Sequence, residues 1–111
     1  MDSLKRGDIV TVAGSGDFAG KQRPAIVVQS DLFNATHSSV SVVPVTTTPV
    51  DAELFRIDLT PSKGNGLRAP CQAMADKITS VRRDRIGTHV GALGKADLER
   101  IDRAVRTWLS L

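Results

Sequence analysis

Residues 20–31 have the sequence Gly20-Lys21-Gln22-Arg23-Pro24-Ala25-Ile26-Val27-Val28-Gln29-Ser30-Asp31. A proline followed by small and branched apolar residues predicts a strand that enters a core, from Pro24 to Gln29. Arg23 stands directly before that strand, and a residue before proline is confined to extended conformations. The guanidinium group therefore starts from a fixed backbone direction, which suits the binding of a phosphate.

Similar apolar segments lie on both sides of this strand, separated by turn-forming residues. Strands are predicted at Asp8–Val12, Val40–Thr46, Phe55–Leu59, Thr88–Leu93 and within Cys71–Val81, whose extended end is Asp76–Val81. Pro44 has no N–H to donate to a neighbouring strand. The Val40–Thr46 strand is therefore expected to lie at a sheet edge or to be bulged.

From Lys95 onward the apolar residues recur at helical spacing, which predicts one C-terminal amphipathic helix. Trp108 falls on the apolar stripe of this helix, and we expect it to pack in the core. Several short strands followed by one helix predict a small barrel-like sheet of all-β or α+β class. Residues 1–111 have the length of a single domain with one modest core.

Composition narrows the functional class. The formal charge of +3 favours polyanionic partners without the basic excess of a dedicated nucleic-acid coat protein. No apolar run approaches the roughly 20 residues needed to span a bilayer, and the N-terminus lacks the apolar stretch of a secretory signal, so a cytoplasmic protein without membrane partners is expected. Cys71 is the only cysteine, which excludes an intrachain disulfide and a thiolate metal cluster.

Five short motifs follow one another along the chain: Arg6-Gly7-Asp8-Ile9-Val10, Lys21-Gln22-Arg23-Pro24, Val43-Pro44-Val45-Thr46, Gly66-Leu67 with Pro70, and Asp76-Lys77-Ile78. In this order and at these spacings the chain resembles the MazF/PemK family of toxins from bacterial toxin–antitoxin pairs, over nearly its whole length. The resemblance implies a small SH3-like barrel with a C-terminal α-helix, as in CcdB and MazF, that works as a homodimer.

The same resemblance implies a sequence-specific endoribonuclease that cleaves single-stranded RNA, such as mRNA, without a metal or other cofactor. The 2′-hydroxyl would attack the adjacent phosphate and leave 2′,3′-cyclic phosphate and 5′-hydroxyl ends. It also implies a cognate antitoxin whose disordered segment fills the RNA groove, and DNA as a partner only through the antitoxin complex.

By its motif, Arg23 would be catalytic together with Thr46. A fixed guanidinium can offer two charged hydrogen bonds to phosphoryl oxygens as negative charge develops on them. Arginine stays protonated at neutral pH, so Arg23 is expected to stabilise charge rather than to accept a proton alone. The alternative is a surface arginine paired with Asp31 or Asp76.

Two further residues complete the expected catalytic set. The hydroxyl of Thr46 can orient a phosphate or the attacking 2′-hydroxyl, although Thr47 or Thr48 could take this place because the three threonines are consecutive. Asp76 matches an acid of the PemK branch, but Met74 stands where relatives often carry arginine. A turn role, or an ion pair with Lys77 or Arg23, is therefore the alternative for Asp76.

The expected RNA-binding residues are Phe18, Lys21, Gln22, Thr47, Arg82 and Arg83. The glycine-rich loop that carries Phe18 is either a flap over the RNA groove or a plain hairpin loop. Neither His37 nor His89 lies in a motif, so both are expected outside the chemistry. Cys71 is expected to be a buried apolar residue rather than a nucleophile.

Two rival functions stay open at this point. One is a non-enzymatic toxin similar to CcdB, which poisons DNA gyrase through the C-terminal end of its helix. The other is an inactive homologue that binds RNA or an antitoxin. RNA cleavage would indicate the endoribonuclease, gyrase inhibition the CcdB-like toxin, and the absence of both activities the inactive homologue.

Overall fold

The computed structural model describes residues 4–13 and 22–111. The strands are β1 (Asp8–Ala13), β2 (Gln22–Val27), β3 (Ser39–Thr46), β4 (Arg56–Leu59), β5 (Cys71–Met74), β6 (Thr79–Arg82) and β7 (Ile86–Ala92), and the helices are α1 (Asp31–Asn34) and α2 (Lys95–Leu109). The expected mainly β fold with a C-terminal helix is confirmed. Within the described ranges, the helices are too short or too polar to cross a membrane.

The predicted strand Asp76–Val81 is wrong at its start. A 3₁₀ turn, Ala75–Lys77, contains Asp76 and separates β5 from β6, which begins only at Thr79. Apolar and polar residues alternate imperfectly in this part of the sequence, as expected where a turn interrupts two strands. As a result, β5 and β6 pair with different parts of the same strand, β3.

All seven strands belong to one antiparallel sheet with the order β4-β5-β3-β2-β1-β7, and β6 pairs with β3. One edge of β3 pairs with β2, and the other pairs first with β6, through Ser39–Val42, and then with β5, through Val45 and Thr46. The expected edge position of β3 is therefore wrong. Pro44 lies between the β6 and β5 ladders, where β3 changes partner.

Two buried apolar clusters lie on opposite faces of β3, because side chains alternate along a strand. Val43 and Val45 belong to the larger cluster, which contains Ile101 and Ala104 of α2. Val40 and Val42 belong to the smaller one, with residues of β1 and β2. Burying a valine or isoleucine fully contributes about 1.5–3 kcal/mol, so the clusters supply much of the stability.

The last turn of α2 departs from the sequence prediction. Trp108 is 48 % exposed, so its expected place in the core is wrong. The middle turns of α2 provide its fully buried residues, Ile101 and Ala104. The indole ring instead packs against Phe55, with 5.3 Å between the ring centroids.

Arg6 ties the segment before β1 to two other elements. Its backbone N–H donates to Asp31 (2.8 Å), and its Nε donates to the carbonyl oxygen of Val28 (3.0 Å). Its guanidinium also forms two hydrogen bonds with the Asp102 carboxylate of α2. The bond from the Arg6 backbone lowers the pKa of Asp31. Arg6 of the first sequence motif therefore links α1 and the residue that follows β2 to α2.

The turn before β5 is built around Asn65, which is buried. Its side chain accepts hydrogen bonds from the N–H groups of Ser62 (2.9 Å) and Leu67 (3.0 Å) and donates to the carbonyl oxygen of Thr60 (2.9 Å). Gly66 follows with a φ of +67°, in the left-handed region. A Cβ at Gly66 would lie 2.2 Å from the backbone oxygen of Val90 in β7, so this turn requires glycine.

Gly66→Ala should destabilise the protein by about 2 kcal/mol or more, because a left-handed residue with a Cβ costs about 1–2 kcal/mol and the backbone of β7 must also move. Gly64→Ala is the matched control, since a Cβ there meets open space. Urea unfolding should show this variant within about 0.5 kcal/mol of wild type. Equal stability of the two variants would contradict the steric argument.

Candidate active site

The structure brings the predicted catalytic pair to one end of the β2–β3 ladder. Ala25 of β2 faces Pro44 of β3, and Arg23 and Thr46 each lie two residues further toward the same end. Residues two apart in a strand share a face, as do residues that pair across strands. Arg23 and Thr46 therefore lie at the same end and on the same face of these strands.

Arg23 is exposed on β2, where its backbone pairs with Val12 of β1. Among the residues that the structure describes, the acidic side chains that form ion pairs do so with other partners. Asp31 accepts hydrogen bonds from Arg6 and Asn34, and Asp76 is paired with Arg56. The alternative in which Arg23 pairs with Asp31 or Asp76 is therefore wrong.

Thr46 is the half-buried last residue of β3, and its hydroxyl has a fixed environment. Its Oγ1 accepts a hydrogen bond from the backbone N–H of Thr48 at 3.1 Å. The hydroxyl proton is a separate donor, so this bond leaves it available for an external acceptor. Thr47 and Thr48 are exposed beyond the strand.

Gln72 of β5 pairs with Thr46 in the sheet register and is 5 % exposed. Its Nε2 donates to the carbonyl oxygen of Val50 (2.8 Å) and to the carboxylate of Asp58 (3.0 Å). Its Oε1 accepts from the N–H of Val50 at 3.1 Å. Gln72 was not among the residues predicted from the sequence, because an isolated glutamine between apolar residues carries no local signal of these contacts.

Asp76 forms a bidentate ion pair with Arg56 of β4, at 2.7 Å from Nε and 3.2 Å from Nη2. In the β4–β5 register Arg56 lies directly opposite Met74. Met74 is the position at which the resemblance leads one to expect an arginine, so the neighbouring strand supplies the cation instead. The expected ion-pair partners, Lys77 and Arg23, are wrong. The side chains of the pair are only 10 % and 15 % exposed.

The charge state of this pair follows from its geometry. Hydrogen bonds from Arg56 lower the pKa of Asp76, and the bond to Asp76 raises the pKa of Arg56. Asp76 is therefore an ionised carboxylate at neutral pH and has no proton to donate. Its available chemical contribution is negative charge and orientation of Arg56.

The expected RNA-binding residues do not form one cluster. Gln22 and Thr47 are exposed and adjoin Arg23 and Thr46 in the sequence, whereas Arg82 faces Ser39 at the other end of β3. At about 3.3 Å per residue, the seven steps from Ser39 to Thr46 span roughly 23 Å. Phe18 and Lys21, together with the glycine-rich loop, lie outside the described residues.

The two arginines at the distant end have partners of their own. Arg82 forms an exposed ion pair with Asp84 at 2.6 Å. Arg83 donates to the carbonyl oxygens of Asn34 and His37, the second at 2.9 Å, and so holds the region of α1 against β6. The backbone contacts of Arg83 give it a structural role that the sequence analysis did not predict.

The two histidines lie in different parts of the fold, and the cysteine is buried. His37 is exposed after α1, and the Nε2 of His89 in β7 is 3.4 Å from the carboxylate of Asp8. Cys71 is buried in the larger apolar cluster, and this burial raises the pKa of its thiol. Cys71 is therefore the buried apolar residue that the sequence predicted.

Comparison with known proteins gives a consistent match. The family model described as "PemK-like, MazF-like toxin of type II toxin-antitoxin system" matches residues 5–109. A probable endoribonuclease MazF from Mycolicibacterium smegmatis is 43 % identical over 97 % of this chain and 98 % of its own. Endoribonuclease MazF9 from Mycobacterium tuberculosis is 33 % identical, with the same coverage of both chains.

A solved structure has the same fold. It is an endoribonuclease from a mycobacterial species in complex with its cognate antitoxin, and it superposes with a TM-score of 0.81. The alignment covers 98 % of this chain and 97 % of that one, at 24 % sequence identity. The arrangement of strands and C-terminal helix described above is therefore that of a known toxin fold.

Asp76→Asn should destabilise the protein by about 2 kcal/mol at pH 7, because it removes a charged bidentate hydrogen bond and leaves Arg56 without its anion. The folded-state pKa of Asp76 lies below its ordinary value of 3.8. The contribution of the pair is therefore complete above that pH and is lost as the pH falls through the folded-state pKa. Urea unfolding of wild type and Asp76→Asn at several pH values measures the free-energy contribution of the pair.

The difference between wild type and Asp76→Asn should accordingly narrow below pH 3.8. Asp84→Asn is the control, because its ion pair with Arg82 is largely exposed and such pairs contribute little, about 0–1 kcal/mol. A stability difference for Asp76→Asn that does not change with pH would contradict the assignment of the pair.

Proposed function

This chain belongs to the PemK-like, MazF-like toxin family of type II toxin–antitoxin systems, and we propose on that premise that it is an endoribonuclease toxin. The proposed substrate is single-stranded RNA, including mRNA, cleaved at a short sequence without a metal ion. The support from relatives is the family match across nearly the whole chain and the two mycobacterial relatives named as endoribonucleases.

The observation that carries the proposal is that Arg23 and Thr46 both lie just beyond the same end of the pairing between β2 and β3. Both lie at one end of the β2–β3 ladder and on one face, and Arg23 is exposed. A guanidinium and a hydroxyl at such a position can both donate hydrogen bonds to one phosphodiester. This is the donor set that a phosphoryl-transfer transition state needs, because negative charge builds on its non-bridging oxygens.

The proposed reaction is a transesterification within the RNA. The 2′-oxygen forms a bond to the adjacent phosphorus while the bond from phosphorus to the 5′-oxygen breaks. The 2′-hydroxyl loses a proton and the departing 5′-oxygen gains one, so the products are a 2′,3′-cyclic phosphate and a 5′-hydroxyl. Arg23 stabilises the phosphoryl charge, and the Thr46 hydroxyl orients the phosphate or the attacking group.

Asp76 has a different proposed role from the one expected of an acid. Because Arg56 keeps it ionised, Asp76 acts as the anion that fixes Arg56 on β4. Arg56 lies opposite Met74, two residues along β5 from Gln72, the partner of Thr46. The pair thus supports the strands next to the catalytic threonine rather than supplying a proton.

The proposed partners follow from the family. A toxin of a type II system is neutralised by a cognate antitoxin protein, and contact with DNA would occur only through that complex. We also propose a homodimer that acts in the cytoplasm. Gln22 and Thr47 are the described candidates for RNA contacts near the site, and Phe18 and Lys21 are further candidates. Arg82 and Arg83 would contact only an RNA long enough to reach the opposite end of β3.

A second candidate function is poisoning of DNA gyrase by protein contact, as in CcdB. One observation favours it: Trp108, near the C-terminal end of α2, is about half exposed instead of buried. The endoribonuclease names of the relatives and the exposed Arg23 favour RNA cleavage as the primary function. A gyrase supercoiling assay run beside the cleavage assay distinguishes the two.

Arg23→Ala should lower the rate of RNA cleavage by about 10²–10³, the loss typical of removing one transition-state donor. Arg23→Lys should recover only part of it, because an ammonium group cannot form the bidentate contact. The measurement is single-turnover cleavage of a long single-stranded RNA in EDTA, with the fragment ends mapped. Discrete cuts with 5′-hydroxyl ends are expected.

The control for Arg23 is Arg103→Ala, which removes an exposed arginine from α2 and should leave the rate unchanged. Cleavage that survives in Arg23→Ala would overturn the role of Arg23. A folded wild-type protein that cuts none of a varied set of RNAs but inhibits gyrase would replace the proposed function with the second candidate.

Thr46→Val should lower the cleavage rate by about 10- to 100-fold, because it removes the hydroxyl while keeping the shape of the side chain. Thr46→Ser keeps the hydroxyl and should stay within a few-fold of wild type. Thr48→Val is the matched control, because Thr48 is the neighbouring threonine that is not a proposed RNA contact. A large loss of activity in Thr48→Val with normal activity of Thr46→Val would transfer the catalytic role to Thr48.

A further inference from the structure

We propose that Gln72 is a positioning residue that keeps the Thr46 hydroxyl in its working orientation by holding the segment 46–50 against β5. This inference rests on the proposed function, because it assigns Thr46 to the site. It concerns a residue with no contact to the substrate, since Gln72 is buried. Its side chain forms three hydrogen bonds, two with Val50 and one with Asp58.

The side chain of Gln72 binds Val50 as a neighbouring strand would. It donates to the Val50 carbonyl oxygen and accepts from the Val50 N–H, at 2.8 and 3.1 Å. Backbone groups of a segment that leaves a sheet lose their ladder partners, and this one amide replaces both at Val50. The side chains of residues 47–50 are exposed, so these bonds fix an otherwise solvent-facing segment.

Asp58 determines which way the amide of Gln72 points. Its carboxylate lies opposite Gln72 in the β4–β5 register and accepts a hydrogen bond from Nε2 at 3.0 Å. An ionised carboxylate accepts hydrogen bonds but donates none, so the amide nitrogen must face Asp58. The amide oxygen is then directed toward the N–H of Val50. The arrangement of Asp58, Gln72 and Val50 is thus internally consistent.

The segment is held at both of its ends. At one end the N–H of Thr48 donates to the Thr46 hydroxyl oxygen, and at the other end Val50 is bound by Gln72. The first bond orients the Thr46 hydroxyl only while Thr48 stays in place. Releasing Val50 frees the side of the turn that carries Thr48. The expected consequence is a misdirected Thr46 hydroxyl in a protein whose core is unchanged.

The test uses Gln72→Leu, which keeps a similar volume but removes every hydrogen bond to Val50. We expect kcat for RNA cleavage to fall about tenfold with KM within about twofold, because substrate contacts are kept. Amide hydrogen exchange followed by NMR should show loss of protection at Val50. Ile57→Val is the matched control, because it removes one methyl group from the core next to Asp58. Its melting temperature should be comparable to that of Gln72→Leu, whereas its kcat and the exchange protection of Val50 should equal those of wild type.

A charge exchange provides a rescue. Gln72→Glu should also lower kcat, because the new carboxylate faces Asp58. Adding Asp58→Asn should restore part of the activity, since the introduced amide can donate to the introduced carboxylate and the Val50 N–H keeps its acceptor. The recovery is incomplete because the Val50 carbonyl oxygen loses its N–H donor and faces a carboxylate oxygen instead. Asp58→Asn alone should have a smaller effect, because an amide oxygen can still accept the bond from Gln72.

The outcomes separate the two proposals. Thr46-dependent cleavage by the wild-type protein establishes the proposed function without reference to Gln72. Once that cleavage is established, a wild-type kcat in Gln72→Leu overturns the positioning role alone. A fall in kcat no larger than that of Ile57→Val, with the Val50 amide still protected from exchange, also overturns it. A wild-type protein that does not cleave RNA overturns both.

Discussion

The change of partner along β3 is the constraint on which the rest of the structure depends. In its first half β3 pairs with β6, and in its last two residues it pairs with β5, while residues 42–44 pair with β2. Pro44 lies between the β6 and β5 ladders, so a residue with no N–H falls at the junction. The two sides of the sheet meet only through this strand in the order β4-β5-β3-β2-β1-β7. The catalytic candidates of β2 and β3 and the polar contacts of β4 and β5 are therefore adjacent because β3 joins them.

Partner choice among the cations decides which arginine is available for a ligand. The chain has 15 lysines and arginines, yet several arginines are committed to structural contacts. Arg6 binds Asp102, Arg56 binds Asp76, and Arg83 binds backbone carbonyl oxygens of the α1 region. Arg23 lies in none of the ion pairs of the described residues. An exposed cation near a strand end, next to a proline, can bind a phosphate without first breaking an ion pair of the described residues.

Two carboxylate contacts support β4 and β5 in different ways. Asp76 and Arg56 form a little-exposed ion pair, whose mutual hydrogen bonds offset the cost of removing both charges from water. Asp58 and Gln72 form a charge-assisted hydrogen bond that also orders the amide toward Val50. Asp58 and Gln72 lie opposite each other in β4 and β5, where side chains are close enough for direct bonds, whereas Asp76 reaches Arg56 of β4 from the 3₁₀ turn that follows β5. In the part of the sheet that adjoins Thr46, these polar contacts thus add to the packing of the larger apolar cluster, which includes Val45, Ile57 and Ala73.

The sequence by itself determined the elements that depend on near neighbours. Periodicity gave most of the strands and the helix from Lys95, the Arg23–Pro24 pair gave a rigidly held cation, and the ordered motifs gave the family. Local patterns cannot report which distant segments pair, and this is where the tertiary structure decided. It put β3 at the centre of the sheet despite Pro44, left Trp108 half exposed, and joined Asp76 to Arg56. Gln72 acquires its contacts with Asp58 and Val50 only when segments 14 and 22 residues away are brought together by the sheet register.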